Sequence, residues 1–111
     1  MIKYSPTCEF NKLDRKLQNN CNILDRALDI DIIATSGLRS PEKNTQVGGV
    51  PKSSHLNGLA IDFICSDSKV RYKLIMASLV AGFQRIGIGK NHIHLDIDTD
   101  KPYPIIFFDG I

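Results

Sequence analysis

The sequence predicts a single small α+β domain whose mostly antiparallel sheet is flanked by helices. Helical and extended hydrophobic patterns alternate along the 111 residues, without repeats or low-complexity segments. The hydrophobic and charged fractions, 42% and 23%, are ordinary for a globular protein. The chain, residues 1–111, is long enough for one hydrophobic core and too short for a catalytic domain with a separate targeting domain.

The first half of the chain predicts two helices and one strand. Hydrophobic residues at helical spacing predict an amphipathic helix over about 9–29. A β-rich run over 32–36, followed at once by a glycine, predicts a strand. A serine and a proline begin the segment 40–46, which is typical of a short capped helix. The two glycines and the proline of segment 48–51 then require a loop.

The second half predicts four strands and a helix. Residues 59–64 form the first of these strands, and polar residues just before 68–81 cap a helix there. Two short strands, 84–88 and 92–97, are separated by a turn. The segment 104–108 follows two prolines and is expected at an edge of the sheet.

All three histidines of the protein belong to one spaced set with an aspartate. His55 and Asp62 come first, and His92 and His94 follow thirty residues later. Two imidazoles and one carboxylate are a three-ligand zinc site, whose open fourth position is the usual arrangement for activating water. One histidine then remains for proton transfer.

Strand geometry brings part of this set together. Alternate side chains of a strand share a face, so His92 and His94 point away from the hydrophobic residues between them. On the 59–64 strand, Asp62 lies opposite the apolar side chains and next to small residues. If the two strands are neighbours, Asp62 and His94 approach each other with space for a metal and a peptide, and His55 comes from the preceding loop.

These residues carry a family resemblance. Residues 53–62 read Ser-x-His-x-x-Gly-x-Ala-x-Asp, residues 92–94 read His-x-His, and residues 35–40 read Thr-Ser-Gly-Leu-Arg-Ser. In this order and spacing, over about residues 32–96, they resemble the zinc D-alanyl-D-alanine peptidases of bacteria and phages. That family shares its fold with the hedgehog signalling domain. The resemblance implies a hedgehog-like fold and Zn²⁺ as the cofactor.

The resemblance also implies a role for each matching position. His55, Asp62 and His94 match the zinc ligands of the family, and His92 matches the acid/base histidine of its carboxypeptidase branch. Arg39 matches the arginine that lies over the substrate, where its planar guanidinium suits a terminal carboxylate or a developing oxyanion.

One position departs from the pattern of other branches. The dipeptidase and endolysin branches have a glutamate three residues before the last zinc histidine, where this chain has Asn91. An amide cannot usefully accept a proton, so the role of base passes to His92.

Other residues near the motifs have weaker interpretations. Ser53 is a candidate for orienting the ligand loop or for contacting substrate. Arg39 could instead form an ion pair with Glu42, although catalysis is the favoured interpretation. Asp96 and Asp98 could support the zinc ligands, but solvated carboxylates at a strand end are the preferred interpretation.

Two function classes remain open at this stage. The favoured one is a peptidase acting on peptidoglycan stem peptides that contain D-amino acids, either as a D-Ala-D-Ala carboxypeptidase or as a wall endopeptidase. The alternative is a catalytically inactive, zinc-stabilised module that binds peptidoglycan or protein. A structural zinc would need a fourth protein ligand, and no remaining histidine or cysteine is placed to provide it, which favours the enzyme.

Charge and hydropathy restrict the partners and the setting. A net charge of +2 without a basic block gives no case for nucleic acid, and it would not repel an anionic wall polymer. The chain shows no apolar signal core and no membrane-spanning run, so we expect cytoplasmic synthesis of a monomer without membrane insertion. A phage lysis system or a phage tail would bring such an enzyme to the wall, and a bacterial cytoplasmic peptidase is the rival setting.

The three cysteines predict reduced, mostly buried thiols. Cys8, Cys21 and Cys65 are odd in number and form no CxxC pair. A disulfide between Cys8 and Cys21 is the less favoured alternative.

Overall fold

A computed structural model of the protein describes residues 1–110, which contain one six-stranded sheet, three α-helices and two 3₁₀ helices. The strands in chain order are β1 (Ile2–Tyr4), β2 (Ile32–Ser36), β3 (Ala60–Ile64), β4 (Arg85–Ile88), β5 (His92–Asp96) and β6 (Ile105–Phe108). The helices are α1 (Arg15–Ala27), α2 (Pro41–Gln46) and α3 (Ser68–Val80), with 3₁₀ helices at Phe10–Lys12 and Ser54–Asn57. The α+β fold class predicted from the sequence is confirmed.

The strand order across the sheet is β1-β2-β3-β5-β4-β6. The three inner pairings are antiparallel, whereas β1 pairs with β2 and β6 pairs with β4 in parallel. The sheet is therefore mixed, which corrects the expectation of a mostly antiparallel one. The difference arises because both edge strands return to the sheet across an intervening element and not through a tight hairpin.

Helix α1 begins later than the hydrophobic periodicity predicts. Asp14 caps it, since its side chain accepts a hydrogen bond of 2.9 Å from the backbone nitrogen of Lys16. Leu13 just before it has extended backbone, and Phe10 upstream belongs to a separate 3₁₀ helix. The prediction of one continuous helix over 9–29 is thus wrong at its N-terminal end.

The hydrophobic core lies between the sheet and the helices α1 and α3. Ile93 and Leu95 of β5 are fully buried in it, as strand alternation predicts. Leu17 and Leu24 of α1 and Leu74 of α3 are equally buried. With one set of alternating side chains held in this core, the other set on β3 and β5, which includes Asp62 and His94, points away from it.

The remaining elements agree with the patterns closely. Asp67 caps α3 by accepting hydrogen bonds from two backbone nitrogens, and Ser40 caps α2. Strand β6 lies at an edge of the sheet, as its prolines indicate.

The three cysteines are buried and free. Within residues 1–110, no helix is both long enough and apolar enough to cross a membrane.

Candidate active site

The pairing of β3 with β5 places Asp62 beside His94. These two residues are direct partners in the antiparallel register. Nδ1 of His94 lies 3.0 Å from Oδ1 of Asp62, and both side chains are buried. Of the small residues expected to leave room beside Asp62, Gly58 lies against residues 12–14 instead. A Cβ on Gly87 of β4 would press against His94 and Phe107, so this glycine lets the two side chains pack closely over the strand.

His55 reaches the same point from the 3₁₀ helix Ser54–Asn57. The hydroxyl of Ser53 caps this helix by accepting a hydrogen bond of 3.2 Å from the backbone nitrogen of His55. Gly58 ends it with a φ of 69°, a left-handed conformation that favours glycine. Ser53 is therefore placed to orient the loop, as expected, and its contact with substrate stays a prediction.

The two nitrogens of His55 have different surroundings. Nδ1 lies 2.8 Å from the carbonyl oxygen of Gly37, which can only accept, so Nδ1 carries the proton of the neutral ring. Nε2 then holds a lone pair. It lies 3.2 Å from Oδ1 of Asp62 without forming a hydrogen bond, and it is buried with no hydrogen-bond partner among the described residues.

His55, Asp62 and His94 together fit a metal ion. One ligand atom from each lies within 4.8 Å of those of the others. Two imidazole nitrogens and a carboxylate oxygen are a donor set that zinc prefers, and a buried lone pair with no partner is what a metal would satisfy. The structure thus brings together the three residues that the sequence singles out, and their role as zinc ligands stays a prediction.

The charges of this cluster are strongly coupled. Burial alone would raise the pKa of Asp62, but the imidazoles of His55 and His94 outweigh it and hold that pKa below the usual range. Burial alone would lower the pKa of His94, whereas its hydrogen bonds to Asp62 and Asp96 raise it to about 9. A metal ion would therefore compete with a proton for Nδ1 of His94.

Asp96 and Asp98 are not the solvated carboxylates that the sequence favoured. Asp96 is only 1% exposed, and its carboxylate lies 2.7 Å from Nε2 of His94 and 2.7 Å from Nε of Arg85. Asp98 is also buried, and it accepts a hydrogen bond of 2.7 Å from the hydroxyl of Ser54. Each carboxylate can be buried because a charged or hydroxyl partner offsets the cost of burial.

Arg39 is oriented by three side chains. It donates from Nε to Ser36, from Nη1 to Asn44 and from Nη2 to Oδ2 of Asp62, over distances of 3.1, 3.4 and 3.1 Å. Its ion-pair partner is thus Asp62, and not Glu42 as the alternative interpretation had it. The guanidinium lies beside the candidate metal site on the side of the carboxylate.

His92 lies on β5 near Asp62, and its hydrogen-bond partner comes from outside the motifs. Its Nε2 is 2.7 Å from Oδ2 of Asp109, the residue that follows β6. This hydrogen bond to Asp109 raises the pKa of His92, and the same bond lowers the pKa of Asp109. Sequence reasoning did not find Asp109, because only the parallel pairing of β6 with β4 brings it near His92.

Two cavities flank the cluster. One of about 410 Å³ is lined by His92, Asn91 and Lys43, and the other, of about 370 Å³, is lined by His55, His94 and Asp109 among others. Arg39 and Asp62 line both. The pair of Arg39 and Asp62 therefore lies between the two cavities, whereas His55 and His94 line only the smaller one.

The sequence matches a known protein family over most of its length. The model of the family described as Peptidase M15 matches residues 3–96, which is most of the chain. The chain belongs to the Peptidase M15 family. Membership in this family, together with the cluster of His55, Asp62 and His94, supports a zinc-dependent metallopeptidase. No curated protein matches the chain.

Proposed function

We propose that this member of the Peptidase M15 family hydrolyses peptide bonds in bacterial cell-wall peptides that contain D-amino acids. The observation that carries the proposal is the unpartnered Nε2 of His55, aimed at Asp62 beside Nδ1 of His94. Family membership supports the peptidase chemistry. The choice of wall peptides rests on the resemblance of the three motifs to D-alanyl-D-alanine peptidases.

Zinc would be held by His55, Asp62 and His94. When bound there, it would supply Lewis acidity for the scissile carbonyl and for an attacking water. Nδ1 of His55 stays bound to the carbonyl of Gly37, so that its Nε2 is kept free for the ion.

His92 and Arg39 would perform the steps that need a proton and a positive charge. Hydrolysis joins the water oxygen to the carbonyl carbon and breaks the carbon–nitrogen bond. His92 takes the proton that the water loses and delivers it to the departing amine nitrogen. Arg39, held by Ser36 and Asn44, stabilises the negative charge that develops on the carbonyl oxygen.

The two cavities support cleavage within a longer peptide. Both reach Arg39 and Asp62, so a peptide crossing the site would have residues on either side of the scissile bond in separate cavities. Lys43 lies in one cavity and Lys101 in the other, where each could meet a carboxylate of a stem peptide. We therefore propose wall endopeptidase activity as the main reaction. Removal of a terminal D-alanine would be the same reaction on a shorter substrate.

The test is digestion of purified peptidoglycan and of D-alanyl peptides by the zinc-loaded protein, with the released fragments identified by mass spectrometry. We expect new peptide fragments from the wild type. His94→Ala should lose both zinc and activity, whereas His92→Ala should keep zinc and lose activity, since only the former removes a ligand. If the wild type binds zinc and folds but cleaves none of these substrates, the protein is a zinc-stabilised binding module instead.

A further inference from the structure

Asp109 lies outside the part of the chain that the family model matches, yet it reaches the candidate active site. The match ends at residue 96, and Asp109 follows β6. Its backbone nitrogen donates a hydrogen bond of 2.8 Å to the carbonyl oxygen of Ile88, the last residue of β4. Asp109 is therefore held in place by a hydrogen bond to the edge of the sheet.

The ring of His92 is held between Asp109 and Gly89. Oδ2 of Asp109 lies 2.7 Å from Nε2 of His92. On Gly89, a Cβ would collide with three atoms of the same ring, so the imidazole rests directly against the glycine backbone. Both contacts come from the β4–β6 side of the site, and together they restrict the orientation of His92.

The contact with Asp109 also decides which nitrogen of His92 can accept a proton. An ionised carboxylate only accepts hydrogen bonds, so in the neutral ring Nε2 carries the hydrogen and Nδ1 holds the lone pair. Nδ1 makes no hydrogen bond with the described residues and is not among their buried unpartnered atoms. His92 itself lines the cavity of about 410 Å³.

We infer that Asp109 is a positioning residue for His92, which fixes the orientation and the tautomer of the imidazole. This inference rests on the proposed function, in which His92 moves the proton. Asp109 would thereby supply, from a distant strand, the carboxylate that the chain lacks at Asn91. Asn91 is exposed and lines the same cavity as His92, but its side chain forms no hydrogen bond with His92.

One competing role for Asp109 is as a further metal ligand. Its Oδ2 lies 3.9 Å from Nδ1 of His94, and Asp62, His92 and Asp109 also have ligand atoms within 4.8 Å of one another. The hydrogen bond to His92 is much the shorter contact, which favours positioning. The experiment must therefore measure zinc binding separately from the orientation and tautomer of His92.

The test uses Asp109→Asn and Asp109→Ala, with Asp100→Asn as the matched control. Asp100 is exposed, and its side chain makes no hydrogen bond or ion pair with residues 1–110. We expect Asp109→Asn to keep its zinc and to lower kcat roughly 10- to 100-fold with little change in KM, as for other carboxylates that orient a functional histidine. In a His92→Ala background the same substitution should not lower kcat any further.

A second readout needs no activity. Nitrogen-15 NMR of the metal-free protein, at a pH where His92 is neutral, should show hydrogen on Nε2 in the wild type and a mixture of tautomers in Asp109→Ala. An unchanged tautomer in Asp109→Ala would overturn the inference, and so would loss of zinc from Asp109→Asn with His92→Ala still loaded. If the wild type cleaves no wall peptide, the proposed function fails, and these spectra still decide whether Asp109 positions His92.

Discussion

Oδ2 of Asp96 lies 2.7 Å from Nε2 of His94, while Nδ1 of the same ring lies 3.0 Å from Asp62. The imidazole is therefore held from both sides, by one carboxylate in the candidate metal site and by another behind it. Arg85 holds Asp96 in turn, with 2.7 Å between Nε and Oδ1. A carboxylate behind a ligating histidine fixes its tautomer and increases its basicity.

Replacement of Asp96 should weaken metal binding. In Asp96→Asn the negative charge behind His94 is lost, and we expect zinc affinity to fall roughly 10- to 100-fold. Competition with a chromophoric chelator measures this on protein whose folding has been checked by circular dichroism. Asp100→Asn, which removes an exposed carboxylate, should leave the affinity unchanged. Equal affinities for Asp96→Asn and the wild type would show that Asp96 has no influence on the site.

A methyl group on Gly89 should disable His92. The three nearest atoms to a Cβ at this position all belong to the His92 ring, so the ring must move in Gly89→Ala. A displacement of about 1 Å costs on the order of 100-fold in rate when it affects a group in the reaction, and we expect a loss of kcat of that size. Zinc content should not change, because the candidate ligands are not in this contact.

The matched control for Gly89 is the same substitution in a His92→Ala background. With the imidazole absent, the three atoms nearest to the methyl group are gone, so Gly89→Ala should cause no further loss of activity. A full additional loss in that background would mean that the glycine acts through the β4–β5 turn and not through His92.

Arg39 should not tolerate lysine. Its guanidinium contacts Ser36, Asn44 and Asp62 through three different nitrogens, an arrangement that a single ammonium group cannot reproduce. We expect Arg39→Lys to retain zinc and to lower kcat/KM on the order of 100-fold, as when one preorganised donor to a developing oxyanion is removed. Arg26→Lys, an exposed position on α1, is the control. If Arg39→Lys loses zinc and keeps the rate of the loaded fraction, Arg39 serves only to hold Asp62.

The buried thiols should make the fold sensitive to alkaline pH. Burial raises the pKa of Cys8 from 9.0 to about 11, and burial also raises that of Cys21 from 9.0 to about 12. Because the folded-state values are the higher ones, this contribution to stability is complete below pH 9.0 and is lost as the pH rises toward 11 and 12. Each thiol reduces the free energy of unfolding by up to about 1.4 kcal/mol per pH unit in that range.

Urea unfolding under reducing conditions at about pH 8 and about pH 10 measures this effect. Cys21→Ala removes one of the two thiols, so its stability should fall less steeply over the same interval, whatever its stability at the lower pH. If the stability of the variant and of the wild type fell equally steeply with pH, the effect would not come from Cys21.

The central part of the site could be predicted because it depends on local rules. Alternation along a strand places His92 and His94 away from the core, and it does the same for Asp62. The pairing of β3 with β5 then follows from two hydrophobic strands that share a core. His55 was found through its motif, because periodicity alone does not predict the 3₁₀ helix that carries it.

The outer part of the site could not be predicted, since it depends on contacts between residues distant in sequence. β1 has only three residues and no pattern of its own, and its parallel pairing with β2 is visible only in the folded chain. The burial of Asp96 requires Arg85 on the neighbouring strand, and the proximity of Asp109 to His92 requires the parallel edge formed by β6. No local rule indicates which carboxylates of a loop-rich segment will find such partners.

Strand β6 contributes to the candidate active site from the edge of the sheet. The three candidate ligands and Arg39 belong to the inner strands and their loops, whereas β6 pairs with one neighbour only and brings Asp109 with it. Phe107 of β6 also packs against the ring of His94, with 5.7 Å between the ring centroids, so a change in this strand reaches a candidate ligand as well as His92. Variation in β6 would therefore alter the proposed partner of His92 and the packing around the candidate metal site together.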